Sequence, residues 1–190
     1  QMHKAITIIQ FKLEGEIIRR RPEFEMDDRM LLHHIDLKRG VVHIDGKDYT
    51  LKDTNWPTLD PKDPYRLSIE EEDLIRKILH SFESSEKMKK HMRCFFRHGG
   101  MYQVCNSNLL FHASIPMNPD GTFKSVRILG QDYKGRALLD RVDQLIRTAY
   151  FKTGEQEEVE YAHDYIWYLW GGKDSPCLLY TSPSPRDRTR

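Results

Sequence analysis

Two pairs of turn residues set the main constraint on this chain. Asp45-Gly46 stands between the alternating runs VVHI and KDYTL, and Asn106-Ser107 stands between MYQVC and NLLFH. A two-residue loop of this kind takes a turn whose twist suits antiparallel strands, so each pair predicts a tight hairpin rather than a crossover between parallel strands. Helical spacing fills much of the remaining chain. Ala5, Ile6, Ile8, Ile9, Leu13, Ile17 and Ile18 recur at helical intervals until Pro22, whose ring disfavours helical geometry at Arg21. Ser68 and Glu71 make a capping box for a helix whose expected inward face is Leu74, Ile75, Ile78, Leu79 and Phe82. Ser84 or Ser85 starts a further helix to about Phe96, and Gly99-Gly100 ends it. A helix over 136–151 carries Ala137, Leu138, Val142, Leu145 and Ile146 on one stripe. A last one over 161–170 follows an acidic linker, GEQEEVE. The predicted class is α+β, helices plus β-hairpins.

Weaker signals fill the rest. A short helix is expected from Asp27 to Asp36, and FKSVRIL before Gly130 reads as one more strand. Residues 53–67, with Pro57, Pro61 and Pro64, form an ordered loop that Trp56 pins to the body.

The chain has 190 residues, 30 basic against 29 acidic, for a formal net charge of +1. That balance argues against a nucleic-acid binder working through a single-sign electrostatic footprint. No apolar run approaches the ~18 residues needed to cross a membrane, and the start lacks a signal-peptide pattern, so a cytoplasmic protein is expected. Cys94, Cys105 and Cys177 are too few and too scattered for a disulfide framework or a cysteine zinc site, and read as reduced thiols. The chain is expected to open inside a helix at Gln1, and from Cys177 onward Ser, Pro and Arg replace the periodic pattern. The expected organisation is therefore one partial domain over 1–176 and a disordered, non-native tail over 177–190.

The local sequence richest in chemistry is NLLFHASIP. An apolar strand that ends on His112, followed by small residues and Pro116, is a way to hold an imidazole rigidly at the edge of a site. Taken alone, one histidine after an apolar strand is more often a hydrogen-bonded structural residue, since a metal needs several ligands. No H-x-H, D-x-H or H-E-x-x-H pattern occurs elsewhere. His98, beside Gly99, carries no motif and is expected to be functionally neutral. Arg19, Arg20 and Arg21 complement the carbonyl end of the first helix, although a sugar phosphate would find the same cluster attractive.

Six segments in one colinear order carry a further signal: HKAITIIQFKLEGEIIRRRPEFEMDDR, DTNWPTLDPKDPY, SEKMKKHMR, GGMYQVCNSNLLFHASIPMNPDGTFK, YKGRALLDRVDQLIR and WYLWGGKDSP. Over Met2 to Pro176 the chain resembles the class 3 fructose-1,6-bisphosphatases, which are similar to calcineurin-like metallophosphatases. The resemblance implies an α+β piece of an α/β metallophosphatase sandwich. It also implies hydrolysis of the 1-phosphate of fructose 1,6-bisphosphate in gluconeogenesis, with a dinuclear Mn²⁺ centre and a small-molecule sugar bisphosphate as partner. The family draws its ligands from D-x-H, G-D-x-x-D-R-G, G-N-H-D, a strand-ending histidine and a later G-H; His112 matches the strand-ending one, and the others find no match here. Ala113 stands where the family has glycine, Gly171 where it has cysteine, and Cys177 begins the departure from its SPLFGK. Arg19, Arg20, Lys173 and Ser175 are residues of suitable type for sugar-phosphate contacts, without an assigned role. This fragment alone is expected to be inactive, and a non-catalytic regulatory or interaction module without a metal centre is the alternative.

Overall fold

The computed structural model describes residues 2–178, and both hairpins stand where their turn residues place them. The chain opens with α1 (Met2–Arg20) and short 3-10 turns at Pro22–Phe24, Asp27–Arg29 and Leu32–His34. β1 (Ile35–Asp36), β2 (Val41–Ile44) and β3 (Lys47–Thr50) form an antiparallel sheet in chain order. α2 (Ile69–Glu83) and α3 (Glu86–His98) lead to the ribbon of β4 (Tyr102–Cys105) with β5 (Asn108–Phe111). A second ribbon pairs β6 (Val126–Ile128) with β7 (Gln131–Tyr133), and α4 (Gly135–Phe151) and α5 (Gln156–Gly171) follow. The arrangement is α+β, as the turn and helix signals require. It divides into two compact units after Met88.

In the first unit α1 buries Ile8, Ile9 and Ile18 together with one charged residue, Lys12. Lys12 is 0% exposed; its Nζ donates to Glu71 Oε2 at 2.7 Å and to the Thr58 carbonyl at 2.6 Å. Glu71 closes the predicted capping box at the same time, accepting from Ser68 N while Ser68 Oγ accepts from Glu71 N. Burial works against the Glu71 carboxylate. The Lys12, Thr58 and Ser68 hydrogen bonds and the Lys12 charge outweigh it and hold the group below the ordinary carboxyl value of 4.5.

Leu32, Leu59 and Tyr65 form a buried cluster against which Phe11, Met30 and Trp56 pack, and Trp56 Nε1 donates to the Asp53 carbonyl. The Tyr65 hydroxyl accepts from Leu32 N at 3.1 Å and shares a hydrogen bond with His33 Nδ1. Its ring lies so close to α1 that a Cβ on Gly15 would fall 2.0 Å from Tyr65 Cδ1. Gly15→Ala is therefore expected to destabilise the protein by about 1–3 kcal/mol, even though alanine favours a helix interior by roughly 1 kcal/mol. A urea midpoint that stays level or rises would show that the ring has room to move.

In the second unit α4 presents Leu138, Val142 and Leu145, each fully buried, with Leu139 and Ala149 beside them, and α5 buries Val159, Ala162, Tyr165 and Leu169. α4 and α5 pack on each other. Ile128 on β6 is also fully buried.

Three expectations need correction, and one strand had no sequence signal. The helix expected over Asp27–Asp36 is two 3-10 turns and a strand, and within it only Leu32 is buried, so the segment has no apolar stripe to hold an α-helix against the core. The acidic linker is the start of α5, where Glu157 and Glu158 complement the positive end of the helix. A strand, β7, follows Gly130 through a turn in which Leu129 and Gly130 both have positive φ, and leucine gives no sequence signal for that conformation. The face of α2 expected inward is open, with Leu79 and Phe82 more than half exposed and Glu71 as that helix's buried residue. The tail expected over 177–190 lies outside the described residues except for Cys177 and Leu178.

Candidate functional site

The ribbon β4–β5 carries the sequence's candidate. Asn106 and Ser107 both take positive φ and close the turn, and the register pairs Tyr102 with Phe111 and Val104 with Leu109. His112 follows at the end of β5. An apolar strand reads as a buried one, yet Leu109, Leu110 and Phe111 are each more than two-fifths exposed. His112 is itself exposed.

His112 lines a cavity of about 410 Å³ with His98, Gly99, Gly100, Met101 and Phe111. Two helical anchors hold its walls. The Arg147 guanidinium on α4 donates to the Phe96 carbonyl at 2.6 Å and to the Gly99 carbonyl at 3.0 Å, while its Nε donates to Asp143 at 2.6 Å. It also lies 5.6 Å from the Phe96 ring centroid. The carbonyl end of α3 is thus tied to α4. A Cβ on Gly99 would fall 2.7 Å from the Phe95 carbonyl, so this helix end has room for glycine alone. The second anchor is the Tyr102 hydroxyl, which donates to Asp140 Oδ1 at 2.9 Å and fixes β4 to α4.

The exit from β5 is tied to the end of the described chain. Ser114, beside the half-buried Ala113, donates from N to the Pro176 carbonyl at 3.2 Å and from Oγ to the Leu178 carbonyl at 2.9 Å. Lys124 Nζ pairs with Asp174 Oδ1 at 2.5 Å. HASIP and KDSP, far apart in sequence, are therefore neighbours. Within the second segment Ser175 is 0% exposed; its hydroxyl donates to the Leu169 carbonyl at 2.7 Å and accepts from Cys177 N, so it holds a turn rather than facing a ligand. Lys173 is exposed and already partnered. Burial pushes the Cys177 thiol up, which lowers its reactivity, and all three cysteines are free.

In the first unit Arg19 is committed. It bonds Asp63 at 3.1 Å and Glu16 at 3.1 Å and lies 4.7 Å over the Tyr65 ring. Arg20 is exposed and partnered. His43 lies exposed on β2, opposite Asp48 at 2.9 Å.

Among the described residues no group of three or more His, Cys, Asp or Glu side chains is placed to hold a metal ion. His112 could still serve singly as a ligand: it is exposed, it ends a strand, and no hydrogen bond among the described residues occupies its ring nitrogens. Sequence reasoning did not bring His98 or Arg147 to this cavity. Both lie on ordinary helical patterns, and only the fold brings Arg147 to the glycines after α3.

The chain matches the family model for Firmicute fructose-1,6-bisphosphatase over residues 1–181. It is 65% identical over 178 residues to the class 3 fructose-1,6-bisphosphatase of Bacteroides fragilis, 63% identical to that of Bacteroides thetaiotaomicron and 53% identical to that of Alkaliphilus metalliredigens. Each alignment takes in 94% of this chain and 27% of the relative, so the chain spans about a quarter of the length of these proteins. No solved structure matches it.

Proposed function

The chain belongs to the Firmicute fructose-1,6-bisphosphatase family, and from that membership we propose that it is part of an enzyme that hydrolyses the 1-phosphate of fructose 1,6-bisphosphate to fructose 6-phosphate and phosphate. The single observation that carries this is 65% identity sustained over 94% of the chain with a class 3 fructose-1,6-bisphosphatase. The setting it implies is cytoplasmic gluconeogenesis. No described helix is long and apolar enough to cross a membrane.

In this proposal β4–β5 is part of a calcineurin-like sandwich completed by the rest of the enzyme. The support is that successive side chains point to opposite faces, and Leu109, Leu110 and Phe111 are all apolar, the pattern of a strand covered on both sides. The proposed cofactor is a dinuclear manganese centre to which His112 contributes one ligand, the others coming from outside this chain. When bound, such a centre would polarise the phosphoryl oxygens and bring the pKa of a bound water towards neutrality. This chain's own part is to hold His112 at the rim of the cavity, through Tyr102–Asp140 on one side and Ser114–Pro176 on the other. Arg20 and Lys173, both exposed, remain suitable contacts for the sugar phosphates.

The test is phosphate release from fructose 1,6-bisphosphate by the complete gene product with Mn²⁺, alongside the 190-residue chain alone. The complete protein is expected to turn over. The chain alone is expected to release no phosphate above a buffer blank and to show no stoichiometric Mn²⁺ binding at micromolar strength by isothermal titration, because one imidazole cannot assemble a dinuclear site. A complete gene product that leaves the bisphosphate intact would mean a non-catalytic module.

A further inference from the structure

The cavity at the end of β5 has two imidazoles on its wall, and the proposed function uses one of them. His98 is the last residue of α3, and it lines the same cavity of about 410 Å³ as His112. Three histidines elsewhere in the chain have partners, His33 in Tyr65, His43 in Asp48 and His163 in the Ala149 carbonyl. Among the described residues neither His98 nor His112 has a hydrogen-bond partner. Two rings without a hydrogen-bond partner among the described residues thus line one cavity, whose wall also includes Gly99 and Gly100.

The carbonyl end of a helix repels an anion. Here that end has been altered, because Arg147 takes up the Phe96 and Gly99 carbonyls and holds the turn that carries His98. An imidazole N–H is a donor that a phosphoryl oxygen accepts readily, and a hydrogen bond to a charged group is among the stronger kinds.

Resting on the phosphatase proposal above, we propose that His98 is a second functional residue of the His112 cavity: it donates a hydrogen bond to the phosphoryl group, and Arg147 is the positioning residue that aims it. The assignment is specific about division of labour. His112 faces metal; His98 faces substrate. On this proposal His98 is not the functionally neutral residue that its sequence context suggests.

The experiment has two arms. In the 190-residue chain, the side-chain ¹H–¹⁵N signals of the histidines are followed during titration with inorganic phosphate, against sodium chloride of equal ionic strength. The His98 signal is expected to move with phosphate along a saturable curve, while His80 on α2 does not. In the complete gene product, His98→Ala, His98→Gln, Arg147→Lys and His112→Ala are compared for metal content, KM and inhibition by phosphate. His98→Ala is expected to keep its full manganese and to weaken both KM and phosphate inhibition by about tenfold, with His98→Gln, which retains an N–H donor, recovering part of the loss. Arg147→Lys, which keeps the charge but not the two-carbonyl grip, should shift KM in the same direction.

A His98→Ala enzyme with unchanged KM beside an inactive His112→Ala enzyme would overturn this inference and leave the phosphatase proposal standing. Normal turnover in both variants would bring down the roles of both rings, whereas a complete gene product that leaves the bisphosphate intact would bring down the phosphatase proposal itself. Loss of manganese in His98→Ala, or a His98 signal indifferent to phosphate, would likewise overturn the role assigned to this ring.

Discussion

Replacing His112 by alanine in the complete gene product is expected to leave a folded protein that is depleted in manganese and turns over at least about a hundredfold more slowly. Folding should survive because the ring is exposed and bonds to no described residue, so its removal leaves neither a cavity nor an orphaned buried partner. Activity should not survive, because even residues that only support a metal ligand typically cost ~10–100-fold in affinity or activity when lost, and a ligand itself costs at least as much. Metal analysis, circular dichroism and phosphate release measured on one preparation separate the possibilities. Full metal content with near-normal turnover would make His112 a bland strand-end residue.

The second large effect is on stability. Lys12→Met would leave the Glu71 carboxylate buried without its cation, and breaking a buried pair from one side costs ~3–5 kcal/mol. The Thr58 carbonyl would lose its donor as well. A double variant, Lys12→Met with Glu71→Leu, should recover most of that, since two apolar side chains can replace a buried ion pair at little net cost. Recovery should stop about 1 kcal/mol short, because Glu71 also closes the capping box of α2. Denaturant titration of both variants checks this, and a single variant as stable as the parent would show that Glu71 reaches water.

The same pair dictates a pH dependence. The folded-state value for Glu71 is lowered, so its contribution to stability is complete above the ordinary carboxyl value of 4.5 and is lost as the pH falls through the lowered value. Stability that rises on acidification below 4.5 would contradict the sign. Lys12→Met should flatten the dependence in that window.

Local signals were readable wherever the cause is local. A turn with two residues at positive φ is a matter of neighbouring backbone, and Asp45-Gly46 and Asn106-Ser107 announced themselves. So did the Ser68–Glu71 box, because its partners are three residues apart. The Leu129-Gly130 turn was missed since leucine at positive φ is tolerated only when the surroundings enforce it. The burial of Lys12 had no sequence signal for a related reason: only the arrival of Glu71 and Thr58 from outside the helix makes it possible.

What the amino-acid sequence determined by itself is the α+β class, the hairpin registers, the cap of α2 and the strand-ending position of His112, all consequences of forces acting over a few residues. The tertiary structure alone decided that His98 shares a cavity with His112, that Arg147 holds the glycines after α3, and that HASIP lies against the Pro176 carbonyl. It also decided that Ser175 is internal and Arg19 committed, so neither is the open sugar-phosphate contact its residue type suggests. The physical reason is range. Hydrogen bonds and burial act at the distance of contact, and contact between residues fifty or sixty positions apart is set by how elements pack, which no pattern within one element encodes.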